Sequence, residues 1–109
     1  MDSIVLDRRL FKPQKARRVK VYCLDRNCIG IATEQISSWK NVGFNHFSIL
    51  PKRVWNGDYR IIFPKRVQRF YCMQQPETQL TASYSQDGKT VLVTINDTGW
   101  DFDKGKSHK

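Results

Sequence analysis

Residues 49–67 read ILPKRVWNGDYRIIFPKRV, and the phrase Pro-Lys-Arg-Val occurs in this stretch twice, at 51–54 and at 64–67. Between the two copies lies Asn56-Gly57. This dipeptide is the strongest short hairpin signal, because both residues of a tight turn need positive φ. The copies are too short to indicate a duplicated domain. The stretch instead predicts a hairpin in which apolar strand residues alternate closely with positive charge.

A two-residue turn fixes the register of this predicted hairpin. Arg53 then lies directly opposite Arg60, while Val54, Tyr59, Ile61 and Phe63 share the core face. Like charges opposed across two strands destabilise the pairing by about a few tenths of a kcal/mol or more. Two readings of the pair stay open: the neighbouring Asp58 offsets the repulsion, or a bound phosphate does.

Upstream of the hairpin, residues 17–24 alternate with the period of a half-buried strand. Val19, Val21 and Cys23 point one way, and Arg18, Lys20 and Tyr22 form a basic outer face. Leu24 to Asn27 reads as a turn. Cys28 to Ala32 returns as a second strand, and Gly30 inside it marks a bulge or a close backbone approach.

One helix is predicted, near residues 33–42. Thr33 can cap its start, Gly43 can end it, and Ile36 and Trp39 lie at helical spacing to dock on a sheet. Residues 44–50 read as extended. Pro64 ends the hairpin strand because proline cannot donate to a ladder, and residues 67–73 are expected to form the next strand.

A second hairpin is predicted around Asp87-Gly88. Its register pairs Leu80, Ala82 and Tyr84 with Ile95, Val93 and Val91, so that all six lie on one apolar face. Such clean alternation indicates a scaffold that packs in the core rather than a chemical site.

About seven short strands with turns roughly every ten residues indicate a mainly β fold, with α+β as the alternative. We predict a small antiparallel β-barrel or sandwich. A chain of 109 residues is one domain. Residues 1–100 are expected to form it, beginning with a basic N-terminal arm (1–16) after a strand fragment at Ile4 to Leu6, and 101–109 are expected to be a flexible basic tail.

The N-terminus lacks the order of residues typical of a signal peptide, and no apolar run is long enough to span a membrane. We therefore expect an intracellular protein with reduced cysteines. We expect it in the cytoplasm, or in the nucleus if the protein is eukaryotic or viral in a eukaryotic host. The nuclear alternative arises because residues 15–20 resemble a basic nuclear-localisation patch.

The net charge is +9 with a pI near 9.8, and it is unevenly distributed. Residues 1–70 hold 15 Lys and Arg against 5 Asp and Glu, whereas residues 71–109 hold 4 against 5. One-sided positive charge is the electrostatic footprint of a protein that binds polyanions. Nucleic acid is the partner that it favours, and an acidic protein or an anionic membrane surface is the alternative.

Metal binding and catalysis have little support in the sequence. Cys23, Cys28, His46 and Cys72 could supply four zinc ligands, but their spacing is not the two close pairs of a typical zinc site, and packing explains the thiols better. A ribonuclease could use His46 with a neighbouring Arg or Lys to stabilise phosphate. No phosphate loop, nucleophile elbow or metalloprotease helix is present.

We therefore predict a small, basic, non-catalytic protein that binds RNA or single-stranded DNA through phosphate contacts and limited aromatic stacking, without a cofactor. Trp55 and Tyr22 are the best stacking candidates, because the alternation places both on charged faces. The predicted nucleic-acid-binding residues are Arg17, Arg18, Lys20, Tyr22, Lys52, Arg53, Trp55, Arg60, Lys65, Arg66 and Arg69. The alternative is a viral or phage accessory protein that docks on an acidic surface of a host protein.

Overall fold

A computed structural model describes residues 2–11 and 18–97, apart from the side chains of residues 10, 11 and 97. In chain order the elements are β1 (Ser3–Leu6), a 3₁₀ helix (Arg8–Phe11), β2 (Val19–Asp25), β3 (Cys28–Ala32), α1 (Ser37–Val42), β4 (Asn45–Ile49), β5 (Lys52–Arg53), β6 (Tyr59–Ile62), α2 (Lys65–Phe70), β7 (Thr78–Tyr84) and β8 (Thr90–Asp97). The predicted mainly β fold is confirmed.

The strands form two antiparallel sheets that face each other across one core. The smaller has the order β1-β6-β5, and the larger has the order β4-β2-β3-β8-β7. Neither sheet closes on itself, so of the two predicted architectures the sandwich is correct and the barrel is wrong. The described residues hold eight strands, of which the edge strand at residues 52–53 is the shortest.

The sandwich has two open sides, and the chain fixes which edges share each side. The Tyr84 hydroxyl of β7 accepts a hydrogen bond from the Asp7 amide, just after β1, at 2.8 Å. Only residues 50 and 51 separate β4 from β5. One open side of the sandwich is therefore bordered by β1 and β7. The other is bordered by β4 and β5, and we call it the β4–β5 side.

The core lies between the sheets and follows the predicted alternation. Val19, Val21 and Cys23 of β2 are at most 1% exposed and share the core cluster with Ile61 of β6 and with Phe63, which directly follows β6. The inward residues of β3 and β8 complete the cluster; they are Ile29, Ile31, Val91, Val93 and Ile95. Burial of this apolar surface, at about 25 cal/mol per Å², is what holds the two sheets together.

The hairpin of β7 and β8 has the predicted register: Leu80 pairs with Ile95, Ala82 with Val93, and Tyr84 with Val91. Its turn is longer than expected. The strands are joined by residues 85–89, and of these Gly88 alone adopts positive φ, at 72°. The Gly88 amide donates to the carbonyl of Ser85 at 3.0 Å.

Helix α1 is shorter than predicted and begins after Ile36, not at Thr33. The Ile36 amide donates to the Tyr22 hydroxyl at 3.0 Å, which holds this residue in extended geometry and delays the helix. The predicted docking of α1 on a sheet is confirmed. Trp39 lies over Gly30, where an added Cβ would come within 2.7 Å of the indole ring. Gly30 therefore marks a close approach.

Helix α2 replaces the strand that was predicted at residues 67–73. Val67 and Gln68 form the buried side of this helix, and the side-chain amide of Gln68 donates to the Phe63 carbonyl at 2.7 Å. Cys72 ends the helix in the left-handed region, at φ 57°. The Met73 amide then donates to the Gln68 carbonyl at 2.9 Å, as in a Schellman motif.

The hairpin of β5 and β6 differs from the prediction by one residue in register. Lys52 pairs with Arg60, and Arg53 pairs with Tyr59. The predicted two-residue turn is wrong because Gly57 alone has positive φ, at 95°, and its amide donates to the Val54 carbonyl at 2.9 Å. This is the three-residue loop in which a left-handed glycine forms a bulge.

The N-terminal segment is built into the fold as far as it is described. The strand expected at Ile4 to Leu6 is confirmed as β1, which pairs with β6. Arg8, expected in a basic arm, instead donates through Nη1 to the Asn56 carbonyl at 2.9 Å. Residues 12–17 and 98–109, including the predicted tail and Arg17, lie outside the described residues. Among residues 2–11 and 18–97, no helix is long and apolar enough to cross a membrane.

Candidate nucleic-acid interface

Helix α2 presents a row of positive charge to solvent. Lys65, Arg66 and Arg69 are all exposed, whereas Val67 and Gln68 face the protein interior. Residues three and four apart are neighbours on a helix surface, so Arg69 lies beside both other cations. The like charges repel one another, and the helix persists because its buried side packs on the core.

A groove separates α2 from β4, the edge strand of the larger sheet. At one end it widens into a pocket of about 360 Å³ lined by Asn45, His46, Phe47, Ser48, Ile49, Pro64, Arg66 and Val67. Its wall therefore combines one arginine with an imidazole, a hydroxyl and an amide. No carboxylate lines the pocket among the described residues, so its chemistry suits an anion.

An exposed aromatic pair forms the other end of the groove. Phe44, just before β4, and Phe70, at the end of α2, have ring centroids 5.0 Å apart with 51° between the planes. Each is more than half exposed, at 55% and 52%. Phe70 also contacts Tyr71 edge-on at 4.9 Å, and the buried Tyr71 hydroxyl donates to the Asp25 carbonyl at 2.8 Å. Tyr71 thus holds Phe70 against the protein, and the rest of the aromatic pair is open to solvent.

The start of β2 adds two predicted cations near the pocket. Arg18 Nη2 donates to the carbonyl of Ser48, a pocket residue, at 3.1 Å. Lys20 pairs with Ser48 across the strands and is half-exposed on the outer face of the larger sheet. Both cations are therefore positioned by the β4 edge.

The outer face of the smaller sheet carries a second cationic surface. Lys52 and Arg60 are directly opposite each other and both are exposed. Val5 pairs with Arg60, and Ile62 lies two residues further along β6; their exposures are 42% and 40%. The predicted pairing of Arg53 with Arg60 is therefore wrong, and the like-charge pair that forms instead is Lys52 with Arg60.

Arg53 and Trp55 lie at the end of the same hairpin. The Arg53 guanidinium carbon lies 5.5 Å from the centre of the Tyr59 ring, a cation–π distance. Trp55 is 96% exposed in the loop and offers its whole indole to solvent. Trp55 therefore fits the stacking role proposed for it, and Arg53 is partly committed to Tyr59.

Tyr22, the other predicted stacking residue, is buried, and that prediction is wrong. It is 2% exposed, because Trp39 covers it edge-on at 5.7 Å and His46 stacks beside it at 6.0 Å. The alternation correctly places Tyr22 on the outer face of the sheet. Helix α1 covers that part of the face, which the strand pattern alone does not reveal.

Ion pairing separates two groups of cations. Arg8 and Arg9 are engaged by Asp58 and Asp7, and the Arg9 guanidinium lowers the pKa of Asp7 to about 2. None of the predicted binding cations that are described forms an ion pair with a described carboxylate. These cations are Arg18, Lys20, Lys52, Arg53, Arg60, Lys65, Arg66 and Arg69. Asp58 therefore does not neutralise the opposed pair of the hairpin.

The four candidate zinc ligands do not converge. Cys23 is buried on the core face, and Cys28 and Cys72 are half-buried, whereas His46 lies on the outer face of the sheet. Burial raises the pKa of the Cys23 and Cys28 thiols, which disfavours the thiolate that a metal needs. No group of three or more His, Cys, Asp or Glu in the described ranges could hold a metal ion.

The ribonuclease hypothesis relies on His46, and the structure places Arg66 in the same pocket. General acid–base cleavage also needs a second proton-transfer group. Among the described residues the pocket supplies no second histidine and no carboxylate. Ribonuclease activity therefore stays a prediction.

Sequence reasoning missed the role of the Phe44–Phe70 pair and the groove. Val67, Phe70 and Tyr71 follow the i, i+3, i+4 spacing of a helix, a signal that could have revealed α2. The meeting of α2 with β4 could not be read from the sequence, because it depends on the sheet order.

Comparison of the chain with protein-family models, with curated proteins and with solved structures finds no match.

Proposed function

We propose that this protein binds nucleic acid, as RNA or single-stranded DNA, through phosphate contacts on its β4–β5 side and without catalysis. The observation that carries the proposal is the set of solvent-accessible cations that have no described carboxylate as a partner. They surround the α2–β4 groove and continue onto the outer face of the smaller sheet. Several such cations on one surface bind most strongly to a ligand with repeated negative charge, because each can contact a separate phosphate.

The opposed Lys52 and Arg60 support the same conclusion from energetics. Their repulsion destabilises the hairpin by about a few tenths of a kcal/mol, and no described group offsets it. A phosphate between the two side chains would replace this repulsion with two charge-assisted contacts.

An acidic protein surface is the competing partner, since it would also satisfy the cations. Exposed aromatic rings beside the charges favour nucleic acid, because unpaired bases stack on such rings and carboxylates do not. A partner captured by the protein that survives both nuclease treatment and high salt would favour the protein surface instead.

The proposal is tested by fluorescence anisotropy with labelled twelve-nucleotide single strands of RNA and DNA at about 50 and about 200 mM salt. Each phosphate contact contributes about −0.7 to the slope of log K against log salt. We expect a steep negative slope, which becomes less negative by about 1.4 when Arg66→Gln and Arg69→Gln are combined.

Lys89→Gln is the matched control, because it removes one positive charge from the loop of the β7–β8 hairpin and should leave the slope unchanged. An affinity that does not respond to salt, or no binding at micromolar protein, would show that the proposal is wrong.

A further inference from the structure

The Phe44–Phe70 pair lies next to the pocket beside Arg66, and α2 supplies residues to both. Arg66 and Phe70 are four residues apart, so they lie on the same side of α2, one turn from each other. That separation is about 6 Å along the helix axis. Opposite them, Phe44 directly precedes the pocket residues Asn45 and His46 in the chain. The aromatic end and the anion-binding end are therefore adjacent.

The two ends differ in chemistry in the way that the two parts of a nucleotide do. The pocket end is lined by Arg66, Ser48 and His46, residues whose side chains can donate hydrogen bonds to an anion. The other end offers the rings of Phe44 and Phe70, which contact each other at a tilt and are each more than half exposed, so that a further flat ring can stack on them. Lys65 and Arg69 flank the groove with positive charge.

We propose that this groove binds one nucleotide of a single strand, with its base stacked on the Phe44–Phe70 pair and its phosphate beside Arg66 and His46. The inference rests on the proposed function and narrows it to strands with unpaired bases. In a duplex the faces of each base are covered by its neighbours, so the aromatic pair has nothing to stack on. The cationic surfaces alone would bind a duplex and a single strand through phosphates.

The test compares ring-removing and ring-keeping variants. The test uses four labelled probes: a ten-nucleotide strand of deoxythymidine, one of uridine, a ten-base-pair DNA duplex and a ten-residue abasic strand. Each probe is titrated with the wild-type protein and with the variants Phe44→Leu, Phe70→Leu and Phe70→Tyr. Stacking of one base contributes a factor of about 5 to about 150 in affinity. We expect each leucine variant to lose about that factor for the single strands and to bind the duplex and the abasic strand as the wild type does. Phe70→Tyr, which keeps a flat ring, should stay within about twofold of the wild type.

Leu92→Ala is the matched control, since Leu92 is a 40% exposed apolar residue on β8, away from the groove. Circular dichroism and thermal unfolding check that each variant is folded. Wild-type affinity of both leucine variants for single strands, or equal losses on the duplex and the abasic strand, would overturn the stacking site while salt-dependent binding stood. If the wild-type protein binds none of the four probes, the stacking site and the proposed function both fail.

Discussion

Lys52 and Arg60 lie opposite each other across β5 and β6, and no described carboxylate bridges them. Both side chains are exposed, so water and salt screen the repulsion, and its cost to stability is small. Such a pair is expected where a ligand brings the missing negative charge. Stability and binding should then respond in opposite directions when one charge is removed.

We predict that Arg60→Gln raises the free energy of unfolding by about 0.2–0.5 kcal/mol and lowers affinity for single-stranded nucleic acid. Urea denaturation at low salt measures the first effect, and anisotropy measures the second. Arg53→Gln removes the same charge but also the contact with Tyr59, so it should lower stability by about 0.5 kcal/mol. If Arg60→Gln lowered stability and left the affinity unchanged, the expectation that stability and affinity change in opposite directions would be contradicted.

The aromatic residues show which properties of single positions can be predicted from sequence. Alternation along β2 correctly assigns Tyr22 to the outer face, and the hairpin loop correctly leaves Trp55 in solvent. Alternation does not show what covers a face. Tyr22 is covered by Trp39 from a helix that starts more than ten residues later in the chain. Phe44 and Phe70 contact each other, and Phe70 contacts Tyr71, yet each of the two rings stays more than half exposed.

Helix α1 is attached to the larger sheet through Trp39, which contacts Tyr22 of β2 edge-on at 5.7 Å and lies over Gly30 of β3. With only six residues it cannot be stable alone, so packing must hold it. The contact is possible because Gly30 has no side chain, and the indole ring occupies the space where a Cβ would be. Gly30, Trp39 and Tyr22 therefore form one packing unit.

We predict that Gly30→Ala destabilises the protein by about 1–3 kcal/mol, because the new methyl group overlaps the indole ring. The cost should fall to well under half of this when Gly30→Ala is introduced into a Trp39→Ala background, where the ring is absent. A double-mutant cycle of urea unfolding free energies measures the coupling. Equal costs in the two backgrounds would show that Trp39 is not the cause.

The β5–β6 hairpin shows where a local pattern does not decide the structure. Asn56-Gly57 is compatible with a two-residue turn and with a three-residue loop, and the choice shifts the register by one residue, which changes the faces. Tertiary contacts accompany the observed choice: the Arg8 amide donates to Asp58 Oδ1 at 3.1 Å, and the Arg8 side chain donates to the Asn56 carbonyl. These partners are about fifty residues apart in sequence, so no local pattern contains them.

The whole molecule joins cations that are far apart in the sequence. Strand β1 pairs with β6, and β2 pairs with both β3 and β4, so residues 18–20, 52–60 and 65–69 come to border the same side of the sandwich. Composition predicts an excess of positive charge in residues 1–70, and alternation predicts the mainly β class and the β7–β8 register. The sheet order, which decides where the charge gathers, arises from long-range pairing and is not encoded in any short segment.

Whether these surfaces contact nucleic acid is measured most directly by a ¹H–¹⁵N nuclear magnetic resonance titration of the full chain with a ten-nucleotide single strand. We predict that amide shifts concentrate on α2, on β4 and on the β5–β6 hairpin, and that they weaken as salt is raised. The amide signals of the β7–β8 hairpin loop, residues 85–89, should not shift. Shifts confined to that loop, or no shifts at low salt, would contradict the proposed interface.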